Sequence, residues 1–288
     1  MDGAYELFRS YFGAPARKDS DGREVGATVG LVRSLFALVS QPGTTHIACA
    51  FDHVIESFRN DLFPGYKSGE GVEEDLLDQF PLAERTVSAL GIVVWPMVEF
   101  EADDALATAA ARLTEQPCVE QVVICSPDKD LAQCVSGQSV VCWDRRRDIV
   151  LDEDGVVRKF GVRPHSMPDW LALVGDAADG YPGIPGWGAK SAAAVLARFD
   201  HLDRIPEDPL QFGLPLGRAT RLAESLRSHR QEALLYRQLA TLREDVPLHT
   251  GLADLEWRGA KPELQEVCRE LGDEDLHRRL TAEHGTRI

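Results

Sequence analysis

Three short runs of apolar and β-branched residues, separated by stretches with helical spacing, constrain the first half of this 288-residue chain. The runs cover residues 45–51, 91–95 and 121–125, and the helical stretches lie near residues 26–40, 74–90 and 102–115. Alternation of strands with helices is typical of a mostly parallel sheet covered on both faces. Residues 139–143 and 149–151 predict a hairpin or an edge pair of strands. The expected fold class of this half is α/β.

The second half of the chain predicts helices only. Strand patterns end near residue 159, and the helical stretches that follow cover residues 167–174, 189–199 and 216–243, with Pro and Gly between them. We therefore predict an α/β domain over residues 1–160 and a helical domain over residues 161–288.

The composition bounds the function. A net charge of −16 argues against binding to nucleic acid, unless metal ions cancel part of the carboxylate charge or basic patches act locally. The six cysteines include no CxxC pair, which makes a zinc site an unfavourable interpretation. The sequence contains neither an apolar run of the roughly 20 residues that a membrane span needs nor a signal-peptide pattern, so we expect a cytoplasmic protein.

Carboxylates follow three of the predicted strands. They are Asp52, then Glu101, Asp103 and Asp104, then Asp128 and Asp130. Ligands of open α/β sheets bind at the carboxyl ends of the strands, and two carboxylates 4 Å apart repel by about 4 kcal/mol at an effective dielectric constant of 20. Such a collection favours bound Mg²⁺ or Mn²⁺, and two such ions can hydrolyse a phosphodiester. The alternative for the acids at residues 101–104 is that they only complement a helix dipole.

A glycine-rich stretch over residues 173–192 predicts a phosphate-binding hairpin. Gly183, Gly186 and Gly188 permit a tight turn whose backbone N–H groups are open to an anion, and Lys190 stands at the start of the next helix. Such a turn holds a DNA phosphate without reading the base sequence. The alternative is an ordinary Gly/Pro loop.

With these motifs in order, the chain resembles the bacterial 5′-nucleases, namely flap endonucleases and the 5′–3′ exonuclease domain of DNA polymerase I. The motifs are Asp2-Gly3, Phe51-Asp52, Ser57-Phe58-Arg59 with Pro64-Gly65-Tyr66-Lys67, Glu101-Ala102-Asp103-Asp104, Asp128-Lys129-Asp130-Leu131 and the stretch from Gly175-Asp176 to Ala192. The resemblance covers nearly the whole chain. It implies a PIN-like 5′-nuclease core and a helical domain that contains a helix-hairpin-helix motif.

The resemblance also implies two acidic metal sites for Mg²⁺ or Mn²⁺. The first site would use Asp2, Asp52, Glu101 and Asp103, and the second would use Asp128, Asp130, Asp176 and Asp179. Because Asp176 and Asp179 belong to the predicted helical domain, the site would draw on both halves of the sequence.

Other residues are assigned to the reaction and to DNA by the same resemblance. Lys67 would contact the scissile phosphate, Arg59 would help to stabilise it, and Asp104 would assist near the first site. Tyr66 would stack on a base, residues 68–85 would form an arch for a single-stranded 5′ end, and the hairpin would grip duplex DNA with a K⁺ ion. The alternatives are that Lys67 is a solvated surface lysine, that Tyr66 fills the core, and that the Arg145-Arg146-Arg147 run is a solvated turn.

Two departures from the family pattern lead to further expectations. Only Met1 precedes Asp2, where the family has an apolar strand, so we expect a gap in the sheet and a poorly held Asp2. The arch is acidic over residues 70–75, which should weaken the capture of single strands or make it more salt-sensitive.

The function expected is that of a standalone, monomeric 5′–3′ exonuclease and flap endonuclease of DNA replication and repair. One alternative is a non-catalytic protein that binds DNA structures, with a site disabled by the short N-terminus. Another is an RNA-directed nuclease of the same acidic type.

Overall fold

A computed structural model describes residues 1–273 and Arg278. Its strands are β1 (Ala48–Asp52), β2 (Val93–Met97), β3 (Val122–Ile124), β4 (Val140–Asp144) and β5 (Ile149–Leu151). Its helices are α1 (Gly3–Gly13), α2 (Gly26–Val39), α3 (Phe58–Leu62), α4 (Glu74–Leu77), α5 (Gln79–Ala89), α6 (Ala102–Thr114), α7 (Glu153–Phe160), α8 (Met167–Val174), α9 (Ala189–Phe199), α10 (Leu216–Ser228), α11 (Arg230–Ala240), α12 (Leu252–Leu255) and α13 (Leu264–Glu270). Short 3₁₀ turns lie at Asp130–Cys134, Pro164–Ser166, Leu202–Arg204 and Pro209–Phe212. No helix within these described residues is long and apolar enough to cross a membrane.

The residues divide into two compact units that are discontinuous in sequence. The first unit comprises Met1–Ile55, Gly69–Leu106 and the described residues from Pro247 onward; the second comprises Glu56–Ser68 and Ala107–Val246. The predicted division at residue 160 stays a prediction.

The first unit is built on a parallel pair of strands. β1 pairs with β2 from Ala48 opposite Val93 to Asp52 opposite Met97. The first three residues of β1 are Ala, Cys and Ala, and together with Phe51 they are buried, because helices α1, α2 and α5 pack in the same unit. The predicted strand over residues 45–51 begins at Ala48 instead, since Ile47 donates its backbone N–H to Leu255 and Thr45 accepts from Trp257.

The second unit holds a three-stranded sheet in the order β3-β4-β5. β3 and β4 are parallel, and β4 and β5 form the antiparallel pair predicted over residues 139–151. Helix α8 packs on α9 and on α11. The parallel pairs of both units and the helical second half confirm the predicted fold class, although the described strands form two sheets rather than one continuous sheet.

Two long helices predicted from the sequence are each broken. The stretch over residues 74–90 is interrupted at Asp78, between α4 and α5. The stretch over residues 216–243 is interrupted at His229, whose φ of −118° lies outside the helical range. Apolar spacing continued across both breaks, which is why the pattern alone did not locate them.

Candidate metal centre and nucleic-acid interface

The acidic residues of the first predicted site lie in the first unit and are fixed by backbone contacts. Met1 donates its amino group to Ala48 (2.9 Å) and accepts from Ala50 (3.0 Å), so Asp2 is placed in a parallel bridge beside β1. The Asp2 carboxylate caps α1 by accepting from the Tyr5 N–H at 2.8 Å, and the residue is 6% exposed. The expectation that Asp2 would be poorly held is therefore wrong for the described structure.

The other acids of this set surround the start of α6. Asp52 accepts from the backbone N–H of Ala102 at 2.7 Å, and Asp104 accepts from the N–H of Glu101 at 3.0 Å. Glu101 and Asp104 are buried, whereas Asp52 and Asp103 are half-buried. One oxygen of Asp52 and one of Asp104 thus accept backbone N–H groups at the start of α6. For Asp104 this agrees with the alternative that the acids at residues 101–104 stabilise the start of a helix, and it does not prevent the other carboxylate oxygens from binding a cation.

The second acidic set forms a buried cluster. Asp130, Asp176 and Asp179 each offer a carboxylate oxygen, and these oxygens lie within 4.8 Å of one another. Asp130 begins the 3₁₀ turn after β3, and the other two lie in the loop after α8. The structure therefore brings together residues from both halves of the sequence. Asp128, the fourth residue predicted for this site, is exposed and instead accepts from the backbone N–H of Asp130 at 2.9 Å.

The charge of this cluster is incompletely compensated at Asp130. Burial and the charges of Asp128, Asp179 and Asp176 raise the pKa of Asp130 well above its usual range, and Lys129 only partly opposes them. Its Oδ1 atom is buried and has no hydrogen-bond partner among the residues that the structure describes. A hard cation would meet both needs, because it supplies positive charge and accepts carboxylate oxygens as ligands. The residues present therefore fit a divalent cation.

Two lysines border the cluster. Lys129 donates to Asp176, and its ammonium nitrogen lies 3.9 Å from Oδ1 of Asp130. Burial works against the charged form of Lys129, but the bond to Asp176 and the surrounding carboxylates outweigh it, so the pKa of Lys129 is raised. Lys67 lies 3.3 Å from Asp179, and its backbone N–H donates to the Asp179 carbonyl at 3.0 Å. Lys67 is thus not merely a solvated surface lysine.

Close backbone packing holds Lys67 in this place. A Cβ atom on Gly180 would stand 2.1 Å from the carbonyl oxygen of Gly65, and Gly180 has a φ of +88°. Only glycine allows this approach and this conformation at low cost. The segment that carries Lys67 is therefore seated directly on the loop that carries Asp179.

Arg59 and Tyr66 are more enclosed than a direct substrate role requires. Arg59 is 1% exposed and donates to the carbonyls of Leu239 (2.7 Å) and Thr241 (3.2 Å), so it ties α3 to the end of α11. Tyr66 is 5% exposed, which agrees with the core-filling alternative for the ring. Stacking of Tyr66 on a base would require the ring to turn outward.

The predicted helix-hairpin-helix is formed by α8, the glycine loop and α9. Gly183 is buried, and its Cβ would meet the backbone nitrogen of Gly175 at 2.4 Å, so this glycine serves chain packing. Gly186 has a φ of +83° and nothing within 4 Å of its Cβ position, and Gly188 is equally open before α9. Together with the exposed Lys190, these two glycines leave backbone accessible to a phosphate at a helix start.

Two residues at the cluster were missed as candidate site residues in the sequence. Lys129 stands between two predicted ligands, and an ammonium in that position was a direct signal of charge pairing. Tyr181 follows Asp179 by two positions and exchanges both backbone hydrogen bonds with Asp176, a bridge that no sequence pattern indicated.

Comparison with known families gives two matches that together span residues 1–263. The family described as 5′-3′ exonuclease, N-terminal resolvase-like domain, matches residues 1–161. The family described as 5′-3′ exonuclease, C-terminal SAM fold, matches residues 162–263.

Similar proteins include a 5′-3′ exonuclease and several DNA polymerases. The 5′-3′ exonuclease of Aquifex aeolicus is 29% identical over 277 residues, covering 96% of this chain and 91% of that protein. The DNA polymerase I of Pseudomonas aeruginosa is 35% identical over 266 residues, covering 88% of this chain and 28% of the polymerase. The chain thus spans about a third or less of the polymerases that it matches, since the value for the Bacillus caldotenax enzyme is 31%.

Solved structures with the same fold include two nucleases. The T5 5′-exonuclease with bound zinc has a TM-score of 0.57 and 17% identity, covering 89% of this chain and 88% of that chain. The catalytic core of Rad2 in complex with DNA substrate has a TM-score of 0.58 and 15% identity, covering 97% of this chain and 89% of that chain. At these identities the likeness establishes the fold.

Proposed function

Because the chain belongs to the 5′-3′ exonuclease family, we propose that it is a divalent-metal-dependent nuclease that hydrolyses DNA at 5′ ends and 5′ flaps. The observation that carries the proposal is the buried cluster of Asp130, Asp176 and Asp179 beside Lys67. Three buried carboxylates whose oxygens lie within 4.8 Å of one another repel, and a cation between them would relieve the repulsion. Because the chain belongs to a nuclease family, we assign this cation a catalytic role.

We infer that the cation is Mg²⁺ or Mn²⁺, because both prefer hard oxygen ligands. Two such ions, when bound, activate the attacking water and stabilise the leaving oxygen. In this proposal Asp130, Asp176 and Asp179, with Asp128 at the rim, hold one ion. The set Asp2, Asp52, Glu101 and Asp103, with Asp104 as their neighbour, holds the other.

Lys67 is proposed to bind the scissile phosphate. Its ammonium group is only partly exposed and already lies against a carboxylate of the cluster, at 3.3 Å from Asp179. A phosphate drawn toward the cation would compete with that carboxylate for the lysine. The buried Arg59 supports the reaction by holding α3, the helix that leads into the Lys67 segment.

The hairpin is proposed to bind the duplex part of the substrate through a phosphate. Gly186 and Gly188 would offer backbone contacts, Lys190 a charge and Gly183 the tight packing below them; a K⁺ ion at the hairpin carbonyls would strengthen the grip. The Rad2 core was solved with a DNA substrate, which supports DNA as the ligand of this fold. We expect the acidic segment at residues 70–75 to weaken the capture of single strands or to make it more salt-sensitive.

A cleavage assay tests the proposal against its alternatives. The purified chain is incubated with labelled 5′-flap DNA, blunt duplex DNA and RNA, with and without Mn²⁺. We expect Mn²⁺-dependent products from the flap and the duplex. Binding without any product would favour a non-catalytic DNA-structure-binding protein, and products from RNA alone would favour an RNA-directed nuclease.

Substitution within the cluster tests the site. Asp130→Ala should abolish cleavage while binding to the flap substrate in Ca²⁺ stays close to that of the unsubstituted chain, since the hairpin is untouched. Asp128→Ala should also abolish it if Asp128 turns inward to ligate. Cleavage retained by Asp130→Ala would contradict the site assignment.

A further inference from the structure

The hydroxyl group of Tyr181 is buried without a hydrogen bond. Tyr181 is 1% exposed, and its oxygen has no partner among residues 1–273 and Arg278. Oδ1 of Asp130 is the other buried side-chain atom in this condition within the same residues. Buried polar atoms in proteins are nearly always paired, so each of these two atoms requires an explanation, such as a bound water or ion.

The position of the tyrosine is fixed from two sides. Its backbone donates to and accepts from Asp176, at 3.0 and 2.8 Å, within the loop that carries the acidic cluster. Its ring stacks on that of Tyr236, with centroids 5.4 Å apart and planes 23° apart. The Tyr236 ring is in turn met edge-on by Phe63. Tyr181 therefore cannot swing its hydroxyl group to solvent without breaking this stack.

The hydroxyl group also lies in the electric field of the cluster. The charges of Asp130, Asp179 and Asp176 all act on this hydroxyl group, which places it near the three carboxylates. A phenolic hydroxyl group is both a hydrogen-bond donor and an acceptor.

We propose that Tyr181 is a positioning residue for the cation site of Asp130, Asp176 and Asp179, and that its hydroxyl group hydrogen-bonds the water carried by the bound cation. The inference rests on the proposed function and adds to it a group outside the carboxylate set. Water on a divalent cation is a strong hydrogen-bond donor, and the phenolic oxygen can accept from it. Groups in this position orient the ligands and the water of a metal site, and their loss typically weakens metal binding about 10- to 100-fold.

The test compares Tyr181→Phe with Tyr236→Phe in the full chain. Each variant removes one hydroxyl group from the same ring stack, and only the first removes it from beside the acids. Binding of Mn²⁺ is measured by calorimetry without DNA, and the melting temperature is measured without metal. For Tyr181→Phe we expect Mn²⁺ binding about tenfold weaker. We also expect a metal-free melting temperature at least as high as that of the unsubstituted chain, because an unpaired buried hydroxyl group is removed.

Weaker Mn²⁺ binding together with an unchanged or higher melting temperature is the result expected of a residue that positions the cation site. A hydroxyl group that was only a packing element would leave Mn²⁺ affinity unchanged, and that result would overturn the inference. Equal weakening by Tyr236→Phe would overturn it too, because the effect would then belong to the ring stack. If the unsubstituted chain binds no Mn²⁺ and cleaves no substrate, the proposed function itself fails. If it binds and cleaves while Tyr181→Phe behaves identically, only the inference fails.

Discussion

Replacement of Asp130 by asparagine should stabilise the metal-free protein while it removes the activity. Asp130 is 6% exposed, and its carboxylate lies within 4.8 Å of those of Asp176 and Asp179. At this separation each pair of charges repels by about 3.5 kcal/mol at an effective dielectric constant of 20. The ammonium group of Lys129 lies 3.9 Å from Asp130, and by the same relation their attraction contributes about 4 kcal/mol.

The balance of these terms leaves Asp130 in net repulsion. For the ionised carboxylate, two repulsions against one attraction give roughly 3 kcal/mol; partial protonation, which the raised pKa of Asp130 favours, reduces the expected effect to about 2 kcal/mol. Asparagine keeps the shape of the side chain without the charge. We therefore expect the metal-free melting temperature of Asp130→Asn to rise by about 3 °C.

The assay is thermal unfolding followed by circular dichroism, in EDTA and then in increasing Mg²⁺. Mg²⁺ should raise the melting temperature of the unsubstituted chain and have little effect on Asp130→Asn. A matched control is Asp169→Asn, because Asp169 is equally buried but accepts from His201 (2.9 Å) and from the Leu202 N–H (3.1 Å). The free energy of unfolding of Asp169→Asn should be lower by about 1–3 kcal/mol. A fall in the metal-free stability of Asp130→Asn, similar to that of the control, would refute the reasoning.

Three further predictions address the neighbouring residues. Lys67→Met should reduce the cleavage rate by at least 100-fold, since one transition-state contact contributes about 3 kcal/mol. The Mn²⁺ affinity measured by calorimetry should be retained. Loss of both the cleavage rate and the Mn²⁺ affinity would mean that Lys67 holds the acidic cluster itself. Gly180→Ala should lower the melting temperature and the cleavage rate together, because its Cβ would stand 2.1 Å from the Gly65 oxygen; an unchanged rate would show that the seating of Lys67 is unimportant. The bond to Arg237 lowers the pKa of Asp203, so this pair stabilises the fold above the usual carboxyl pKa and ceases to do so as the pH falls through the lowered value. Asp203→Asn should accordingly lower the free energy of unfolding by at most about 0.5 kcal/mol at pH 7, since the pair is largely solvated, and should not change it near pH 2. Urea unfolding at both pH values measures this difference. An equal loss at pH 7 and pH 2 would contradict an origin in the ion pair.

The sequence predicted the elements and the acids but not their surroundings. Strand runs and helical spacing located β1 to β4 because apolar periodicity reports burial. β5 was located by its β-branched residues, although Ile149 and Val150 are exposed. The break at His229 was missed, since apolar positions continue through it and only the local backbone angles reveal it. Likewise, the sequence predicted that Gly183 contacts a phosphate, but Gly183 is buried against Gly175. No rule of residue spacing indicates this close approach.

The candidate site shows the same limit. Motif order predicted that Asp130, Asp176 and Asp179 belong together, and the structure brings them together. Motif order could not predict that Arg59 would donate to the carbonyls of Leu239 in α11 and of Thr241 just after it, because a buried arginine and a phosphate-binding arginine have the same sequence signal. Tyr181 had no signal at all before its hydroxyl group was seen without a partner.

The tight contact between Gly175 and Gly183 has a consequence for where the enzyme would cut. These two glycines close the base of a short loop, and the bridge between Asp176 and Tyr181 braces it inside. The same segment of chain carries two proposed metal ligands and then runs directly into the hairpin with Gly186. The length of this loop would therefore determine how many nucleotides separate the phosphate bound by the hairpin from the cleavage position. One residue inserted after Gly183 should move the cleavage position on a labelled flap, whereas an insertion in the exposed 145–147 turn should leave it in place.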